Sequence, residues 1–342
     1  MATIILHKKH YYNNLDIITS LTKTKDKIAL VLKDNAYGHG LLEISQMAHE
    51  YGITKAVVQT EAEAQKIAHL FSYVLVLADK ASISSQNIRY TLNDLSAIAK
   101  FPKGTKVELK VDTGMHRNGV KIEQMREAFE KIQAQGLHLE GVFTHHRSAD
   151  ELSGEWFWQK ENFAHAKEVA KTLACEFGVG DLRFHSCNSA ALLRESDFSE
   201  DMARVGIAAY GCIEMPEVFG MWNFQPVLSV HAKKNSQRVL KAGERVGYGG
   251  TYEAESDCIV SNYDFGYGDG FFRSLSNNYV TPEGKKLIGR ISMDNSSFLS
   301  EAEEIEIFND ARVIAKAAGT FSYEILTSLK SEIERKIDAS ME

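Results

Sequence analysis

The chain has 342 residues, of which 44% are hydrophobic, 25% charged and 10% aromatic. This length predicts about two domains, and the composition is that of a folded globular protein, which excludes a collagen-like, coiled-coil or wholly disordered chain. The 39 Lys and Arg residues against 46 Asp and Glu residues give a net charge of −7, which argues against nucleic acid or an anionic membrane surface as a partner.

Eight short runs rich in Val, Ile, Leu and Phe alternate with amphipathic segments in the first part of the chain. Repeated βα units indicate a parallel sheet, and eight of them predict an α/β fold with an N-terminal (β/α)8 TIM-type barrel, which we assign to residues 1–222. The predicted strands are 27–32, 55–59, 73–78, 88–91, 106–111, 139–144, 182–185 and 203–207. The predicted helices are 41–50, 61–70, 92–100, 121–135 and 156–177.

The pattern changes after about residue 210, where short runs rich in Val, Ile and Tyr are broken by Gly and Asn. This predicts a second, mostly β domain over residues 223–342. The tail, residues 323–342, is predicted to form a helix. The predicted strands of this domain are 227–231, 244–248, 257–263, 286–291 and 304–308.

The compartment follows from features that the chain lacks. No apolar run approaches the roughly 20 residues that span a bilayer, and the N-terminus lacks a signal-peptide pattern. The four cysteines are widely spaced without a CxxC motif, so we expect a cytoplasmic protein without disulfides. The pair His145-His146 lacks the spacing and the Cys or carboxylate partners of a zinc site, so no metal is expected.

Lys33 directly follows the first predicted strand. In such a barrel the catalytic face lies at the C-terminal ends of the strands, which places this amine at the barrel mouth. Desolvation and neighbouring cations there favour a neutral amine that can attack an aldehyde. The alternative is a lysine whose amine simply reaches solvent.

Other polar residues follow the later strands at the same face. Asn188 and Ser189 after the seventh strand, with the backbone amides of Gly206 and Ile207 after the eighth, predict a phosphate-binding cup. A helix cap is the alternative for Asn188 and Ser189. The cationic or titratable residues at this face are Lys110, Arg117, His145 and Arg204.

Several motifs in both halves of the chain occur in the order known from one enzyme family. They lie at residues 31–40, 110–117, 144–145, 185–190, 204–207, 247–249, 266–270, 289–294 and 322–324. In these segments the chain resembles the alanine racemases, which are fold-type III pyridoxal-phosphate enzymes. The resemblance implies pyridoxal 5'-phosphate (PLP) as cofactor, alanine as substrate, a role in supplying D-alanine for peptidoglycan, and a homodimer with shared active sites.

By position, the resemblance makes Lys33 the lysine that bonds PLP and one of two catalytic bases. It makes Tyr248, contributed by the other subunit, the second base. Racemisation needs both, because the α-proton leaves one face of the substrate and a proton returns to the other. His145 and Arg204 match the network that allows a tyrosine to act as a base near neutral pH, and Arg204 also faces the pyridine nitrogen.

The remaining roles implied by the resemblance concern PLP, the substrate and access to the site. Lys110 matches a lysine that is often carbamylated, and pairing with Asp112 is the alternative. The residues matched to the PLP phosphate are Tyr37, Ser189, Gly206, Ile207 and Tyr323. Those matched to the substrate are Arg117, Met293 and Asp294, and those matched to an access corridor are Tyr267, Arg273 and Arg290.

The sequence departs from the family pattern at two places near the pocket, Asp34-Asn35 and His146-Arg147. A wider pocket around His146 and Arg147 would permit a broad-specificity amino-acid racemase of the same fold. A basic amino-acid decarboxylase has a similar architecture, but the motif around Tyr248 argues against it. A non-catalytic PLP carrier would need only the barrel, and the second domain argues against that.

Overall fold

Eight parallel strands form a nearly closed barrel in this computed structural model, which describes residues 2–82 and 85–338. The first seven strands pair in chain order and the eighth pairs with the first, while no pairing joins the seventh to the eighth among the described residues. Their interior positions are mainly apolar, as expected for parallel strands buried on both faces. The prediction of a (β/α)8 barrel is therefore confirmed. The strands are Ile28–Val31, Lys55–Val58, Tyr73–Val76, Ile88–Leu92, Lys106–Lys110, His138–Phe143, Arg183–His185 and Ala203–Val205.

Helices surround this barrel, but one predicted helix is wrong. Only the short 3-10 turn Ile98–Lys100 forms within residues 92–100. The carboxylate of Asp94 accepts hydrogen bonds from the amides of Ser96 and Ala97 at 2.8 and 2.9 Å, and such a side-chain turn competes with a helix. The observed barrel helices are Leu41–Tyr51, Glu61–Ile67, Met125–Gln135, Glu155–Phe177 and Ser189–Arg194.

The second domain is built on the long strand Leu228–Leu240. This strand pairs antiparallel with three others, at Thr3–His7, Cys258–Tyr263 and Glu304–Phe308. The first strand of the chain thus lies in the second sheet, although it falls within the predicted barrel domain, residues 1–222. The division after residue 222 stays a prediction. The remaining strands are Arg245–Val246, Tyr252–Glu253, Leu287–Ile288, Ser296–Phe298 and Glu334–Asp338, and the remaining helices are Lys8–Thr22, Ala311–Ala318 and Ser322–Ser328.

The predicted C-terminal helix, residues 323–342, is wrong after its first turns. The helix Ser322–Ser328 ends, and the strand Glu334–Asp338 then pairs in parallel with Thr3–His7. The unpaired backbone groups along that edge provide a partner which no local pattern indicates. Residues 339–342 of the prediction lie outside the described residues. Within the described part of the chain, no helix combines the length and apolar character needed to cross a bilayer.

Candidate active site

Lys33 lies at the barrel mouth and opens a turn with left-handed backbone. The φ angles of residues 34–37 are between +51° and +54°, a conformation that costs about 1–2 kcal/mol for each residue with a Cβ atom. Hydrogen bonds from outside hold this turn. Asn35 Oδ1 accepts from the Leu41 amide at 2.9 Å, and Glu63 Oε1 accepts from the Asp34 amide at 2.8 Å. Strain maintained in this way is a feature of functional sites.

Five cationic or titratable side chains, which lie in or after four of the barrel strands, influence one another at the same mouth. Burial, followed by the charges of Arg204 and Arg117, lowers the pKa of Lys110 to about 8, and the charge of Lys33 contributes less. Burial also lowers the pKa of His145, and Arg204, Lys110 and Arg117 lower it further. The predicted residues Lys33, Lys110, Arg117, His145 and Arg204 therefore share one electrostatic environment.

Asp112 does not pair with Lys110, the alternative raised by the sequence, but contacts the turn that follows its own strand. Asp112 Oδ1 accepts from the amides of Gly114 and His116, each at 3.0 Å. Its other oxygen lies 3.2 Å from His116 Nδ1. Among the described residues no ion pair joins Lys110 to Asp112, so this carboxylate shapes the turn after its strand.

The predicted phosphate cup brings Ser189 against Gly206. Ser189 begins the helix Ser189–Arg194, and Asn188 Oδ1 caps that helix by accepting from a backbone amide at 2.9 Å. Ser189 Oγ accepts from the Gly206 amide at 3.1 Å. Ile207 follows directly and is buried. Asn188 thus acts as a cap, while Ser189, Gly206 and Ile207 lie together between the last two barrel strands.

Tyr37 closes the same cup from the other side. A Cβ atom on Gly206 would lie only 2.8 Å from the Tyr37 hydroxyl, so the backbone of residue 206 approaches this oxygen because it has no side chain. The rings of Tyr210 and Tyr323 lie 5.0 and 5.7 Å from that of Tyr37. Tyr37, Ser189 and Gly206 together form a small polar cradle that suits a phosphate group.

Arg204 lies in the last barrel strand, Ala203–Val205, and is buried. Its Nη2 donates to the carbonyl oxygens of Thr144 at 2.6 Å and Ser186 at 3.1 Å. Its Nη1 donates to Nδ1 and to the carbonyl oxygen of His185. A guanidinium carries five N–H donors, four of them on the two Nη atoms. Within the described residues nothing accepts from Nε, which remains as a donor.

Glu108 is a component of the site that the sequence analysis missed. Its side chain is fully buried and lies 2.7 Å from His185 Nε2. It also accepts from Arg183 at 2.7 Å and from Tyr73 at 2.8 Å. The alternation along the strand Lys106–Lys110 could have indicated it, because residues two positions apart share one face of a strand. Glu108 therefore lies on the same side of this strand as Lys110.

Apart from Tyr323, which lies beside Tyr37, the predicted residues of the second domain lie on a separate surface. Tyr248 begins the turn Tyr248–Gly250 and is 65% exposed. The amides of Tyr267 and Gly268 donate to the carbonyls of Ser292 and Met293 at 3.0 and 2.8 Å. This pairing holds Tyr267 and Met293 next to each other.

The other predicted residues of that domain adjoin this surface. A Cβ atom on Gly249 would lie 2.9 Å from Arg290 Nη1, which puts Arg290 beside Tyr248. Asp294 and Arg273 are exposed. In the described part of a single chain, no hydrogen bond or ring contact joins Tyr248 to Lys33. One chain therefore assembles the predicted barrel residues together with Tyr323 and, separately, the other predicted second-domain residues.

Family models and related sequences identify the same family over nearly the whole length of this chain. The model for the alanine racemase N-terminal domain matches residues 6–214, and that for the alanine racemase C-terminal domain matches residues 227–337. The alanine racemase of a Nitratiruptor species is 44% identical over 335 residues, covering 98% of this chain and 99% of the relative. That of Campylobacter concisus is 42% identical over 338 residues, with the same coverage.

A solved structure shares the fold. The crystal structure of alanine racemase from Bacillus anthracis with bound L-Ala-P superposes with a TM-score of 0.88 at 25% identity, covering 100% of this chain and 96% of that one. Domain models, relatives and architecture coincide over both halves of the molecule. The chain belongs to the alanine racemase family.

Proposed function

We propose that this protein is an alanine racemase that interconverts L-alanine and D-alanine with PLP as its cofactor and supplies D-alanine for peptidoglycan. The observation that carries the proposal is the convergence of an amine, a phosphate cradle and an unpaired Arg204 donor at one end of the barrel. Relatives covering nearly the whole chain are named alanine racemases.

The residues present fit PLP at three points. Ser189, the amides of Gly206 and Ile207, and the hydroxyls of Tyr37 and Tyr323 would hold its phosphate. The free Nε–H of Arg204 would face the ring nitrogen, and because a guanidinium only donates, that nitrogen would stay unprotonated. The Lys33 amine would bond the aldehyde.

When bound, PLP supplies a carbonyl group for the substrate amine and a ring that delocalises the electron pair left at the α-carbon. The protein supplies proton transfer. Lys33 Nζ takes or returns the α-proton on one face of the substrate, and Tyr248 Oη does so on the other. Arg117 pairs with the substrate carboxylate. Arg204 and the other cations at the mouth favour the ionised form of a base that approaches them.

The second base reaches the site from a partner subunit. Tyr248 is exposed, and in the described part of its own chain no hydrogen bond or ring contact joins it to Lys33. A twofold symmetric dimer in which each second domain covers the other barrel would produce two equivalent sites. Met293, Asp294 and the access corridor of Tyr267, Arg273 and Arg290 would come with the same surface.

The test is to incubate the purified protein with PLP and L-alanine and to follow optical rotation, with Lys33→Ala as the inactive control. Rotation should decay to zero as the two enantiomers equalise, and D-alanine should give the mirror-image curve. Unchanged rotation with PLP bound would identify a carrier and refute the proposal. Release of carbon dioxide from lysine or ornithine would instead identify a decarboxylase. A panel of other amino acids distinguishes an alanine racemase from a broad-specificity one.

A further inference from the structure

A chain of buried hydrogen bonds runs down the barrel from Arg204. His185 contacts Arg204 through Nδ1 and Glu108 through Nε2, the latter at 2.7 Å. The side chains of His185 and Glu108 are both fully buried. Burying a carboxylate here is costly unless it is paired and hydrogen-bonded, so the function of Glu108 requires an explanation.

The partners of Glu108 keep it ionised. Oε1 accepts from Tyr73 at 2.8 Å and Arg183 at 2.7 Å, and Oε2 faces His185. Burial alone would raise the pKa of Glu108, but the hydrogen bond from His185, the charge of Arg183 and the hydrogen bond from Tyr73 lower that pKa below its ordinary value. An ionised carboxylate only accepts hydrogen bonds. The proton of His185 must therefore lie on Nε2.

This protonation leaves a lone pair on Nδ1 of His185, which accepts from Arg204 Nη1. Burial lowers the pKa of His185 against the charge of Glu108, so the ring is neutral with one donor and one acceptor. Its plane is also fixed, because it stacks on Phe143 with the centroids 4.7 Å apart and an interplanar angle of 9°. The same Phe143 ring lies 5.0 Å from Arg204 Cζ.

The neighbouring strand makes room for the carboxylate. A Cβ atom on Gly141 would lie 2.9 Å from both the Glu108 carboxyl carbon and Oε1. A larger residue at position 141 would therefore conflict with the glutamate, and this chain combines the glutamate with a glycine. The backbone at Gly141 thus leaves a specific space inside the barrel for the Glu108 carboxylate.

We propose that Glu108 is a positioning residue of the site, which fixes the tautomer of His185 and through it the orientation of Arg204 towards the cofactor ring. The inference rests on the proposed function for the identity of the cofactor, but the tautomer belongs to the protein alone. With both Nη atoms of Arg204 held by the barrel, the guanidinium has one orientation, and its Nε–H is aimed before any ligand arrives. Preorganised donors of this kind lose no orientational freedom on binding.

Glu108→Gln provides the test because it preserves size while reversing one donor. The amide oxygen can replace Oε1 and accept from Tyr73 and Arg183, so the NH2 group takes the place of Oε2 and points at His185 Nε2. His185 must then accept at Nε2 and carry its proton on Nδ1, where it opposes an Arg204 N–H. A donor facing a donor weakens the hold on Arg204 Nη1, which then keeps only its contact with the His185 carbonyl.

The measurements are the 15N chemical shifts of the His185 ring and the affinity of PLP for the apoenzyme. Wild-type His185 should be neutral with its proton on Nε2, and Glu108→Gln should move the proton to Nδ1. By analogy with the loss of an outer-shell partner at a metal site, PLP binding should weaken by about tenfold or more. Tyr73→Phe removes a hydrogen bond from the same carboxylate without reversing a donor. Glu140→Gln alters a carboxylate that pairs with Arg89. Both controls should keep the tautomer and bind PLP with an affinity close to that of wild type.

An unchanged tautomer and affinity in folded Glu108→Gln would overturn the proposal, as would equal losses in Tyr73→Phe. If Glu108→Gln does not fold, the wild-type shifts decide, because a proton on Nδ1 or a charged ring contradicts the inferred chain. If the wild-type protein binds no PLP, the proposed function fails, while the tautomer comparison still confirms or rejects the action of Glu108 on His185 and Arg204.

Discussion

The most direct test of the phosphate cradle is to add a single methyl group to it. In Gly206→Ala the new Cβ would lie 2.8 Å from the Tyr37 hydroxyl, 3.1 Å from Cζ and 3.4 Å from Cε2. The backbone at Gly206 is not in the left-handed region, so the variant adds a steric conflict without backbone strain. The Tyr37 ring cannot easily retreat, because it is buried beside Tyr210.

The magnitude follows from that conflict. Overpacking a well-packed position costs about 1–3 kcal/mol, and each 1.4 kcal/mol corresponds to a tenfold change in a binding constant. If the methyl group displaces the Tyr37 hydroxyl from the phosphate, the Kd for PLP should rise by about 5- to 150-fold. Tyr37→Phe, which loses a hydrogen bond to a charged group worth about 1.5–3 kcal/mol, should weaken binding by a similar factor.

The double variant, Gly206→Ala with Tyr37→Phe, tests whether the methyl group acts through the Tyr37 hydroxyl. When Tyr37→Phe has removed the oxygen that the methyl group meets first, Gly206→Ala should cost less than it does alone, because the nearest remaining atom is a ring carbon at 3.1 Å. PLP affinity of the four apoenzymes is measured by titration, with Gly180→Ala as a control whose Cβ meets nothing within 4 Å. If the fold-losses of PLP affinity in the two single variants multiply in the double variant, the two changes act independently, because independent sites give additive free energies. That result would refute the proposed contact between residue 206 and the Tyr37 hydroxyl.

Further predictions address the bases, the dimer and Lys110. Borohydride reduction of the yellow PLP-loaded protein should attach PLP permanently to Lys33. PLP attached to another lysine would contradict the assignment. Tyr248→Phe should retain PLP and lose most racemisation. In heavy water it should exchange the α-proton of D-alanine faster than that of L-alanine, and equal exchange would reject the assignment of faces. Refolding inactive Lys33→Ala and Tyr248→Phe together should produce about half mixed dimers and roughly a quarter of wild-type activity, whereas an inactive, folded mixed dimer would exclude shared sites. Since the pKa of Lys110 is about 8, its amine becomes increasingly neutral as the pH rises past that value, so bicarbonate should then add the mass of one carbon dioxide to wild type but not to Lys110→Met. No added mass would leave Lys110 unmodified.

The barrel was predictable because its strands are buried on both faces. Ile28–Val31 and Tyr73–Val76 are buried at every position, and such strands appear in a sequence as continuous apolar runs separated by helical segments. Five strands of the second domain were located from their β-branched residues and turns, but Tyr252–Glu253, Ser296–Phe298 and Glu334–Asp338 were missed. The pairing of the strands was not predictable, since the sheet joins Thr3–His7 to Glu334–Asp338 across almost the whole chain.

The site residues that follow the C-terminal ends of barrel strands were predictable from the sequence. Lys33, Ser189 and Gly206 each follow a strand end, which the architecture places at one face. Glu108 was not predictable in the same way, because its partners Tyr73, Arg183 and His185 lie 35, 75 and 77 positions away. Side-chain hydrogen bonds between distant strands leave no periodic signal in the sequence.

The charges at the barrel mouth explain why this face suits anionic ligands. Arg204, Arg117 and Lys33 all lower the pKa of Lys110, and Asp112 opposes them. Like charges held together in a partly buried site store repulsion, which an anion in their midst relieves. PLP brings a phosphate and a phenolate, and alanine brings a carboxylate. Each would stabilise the charged form of its neighbours, so ligand binding should raise the pKa of an unmodified Lys110 towards its ordinary value. Carbamylation of Lys110 would relieve the same repulsion without a bound ligand, because it replaces one of the cations with an anion.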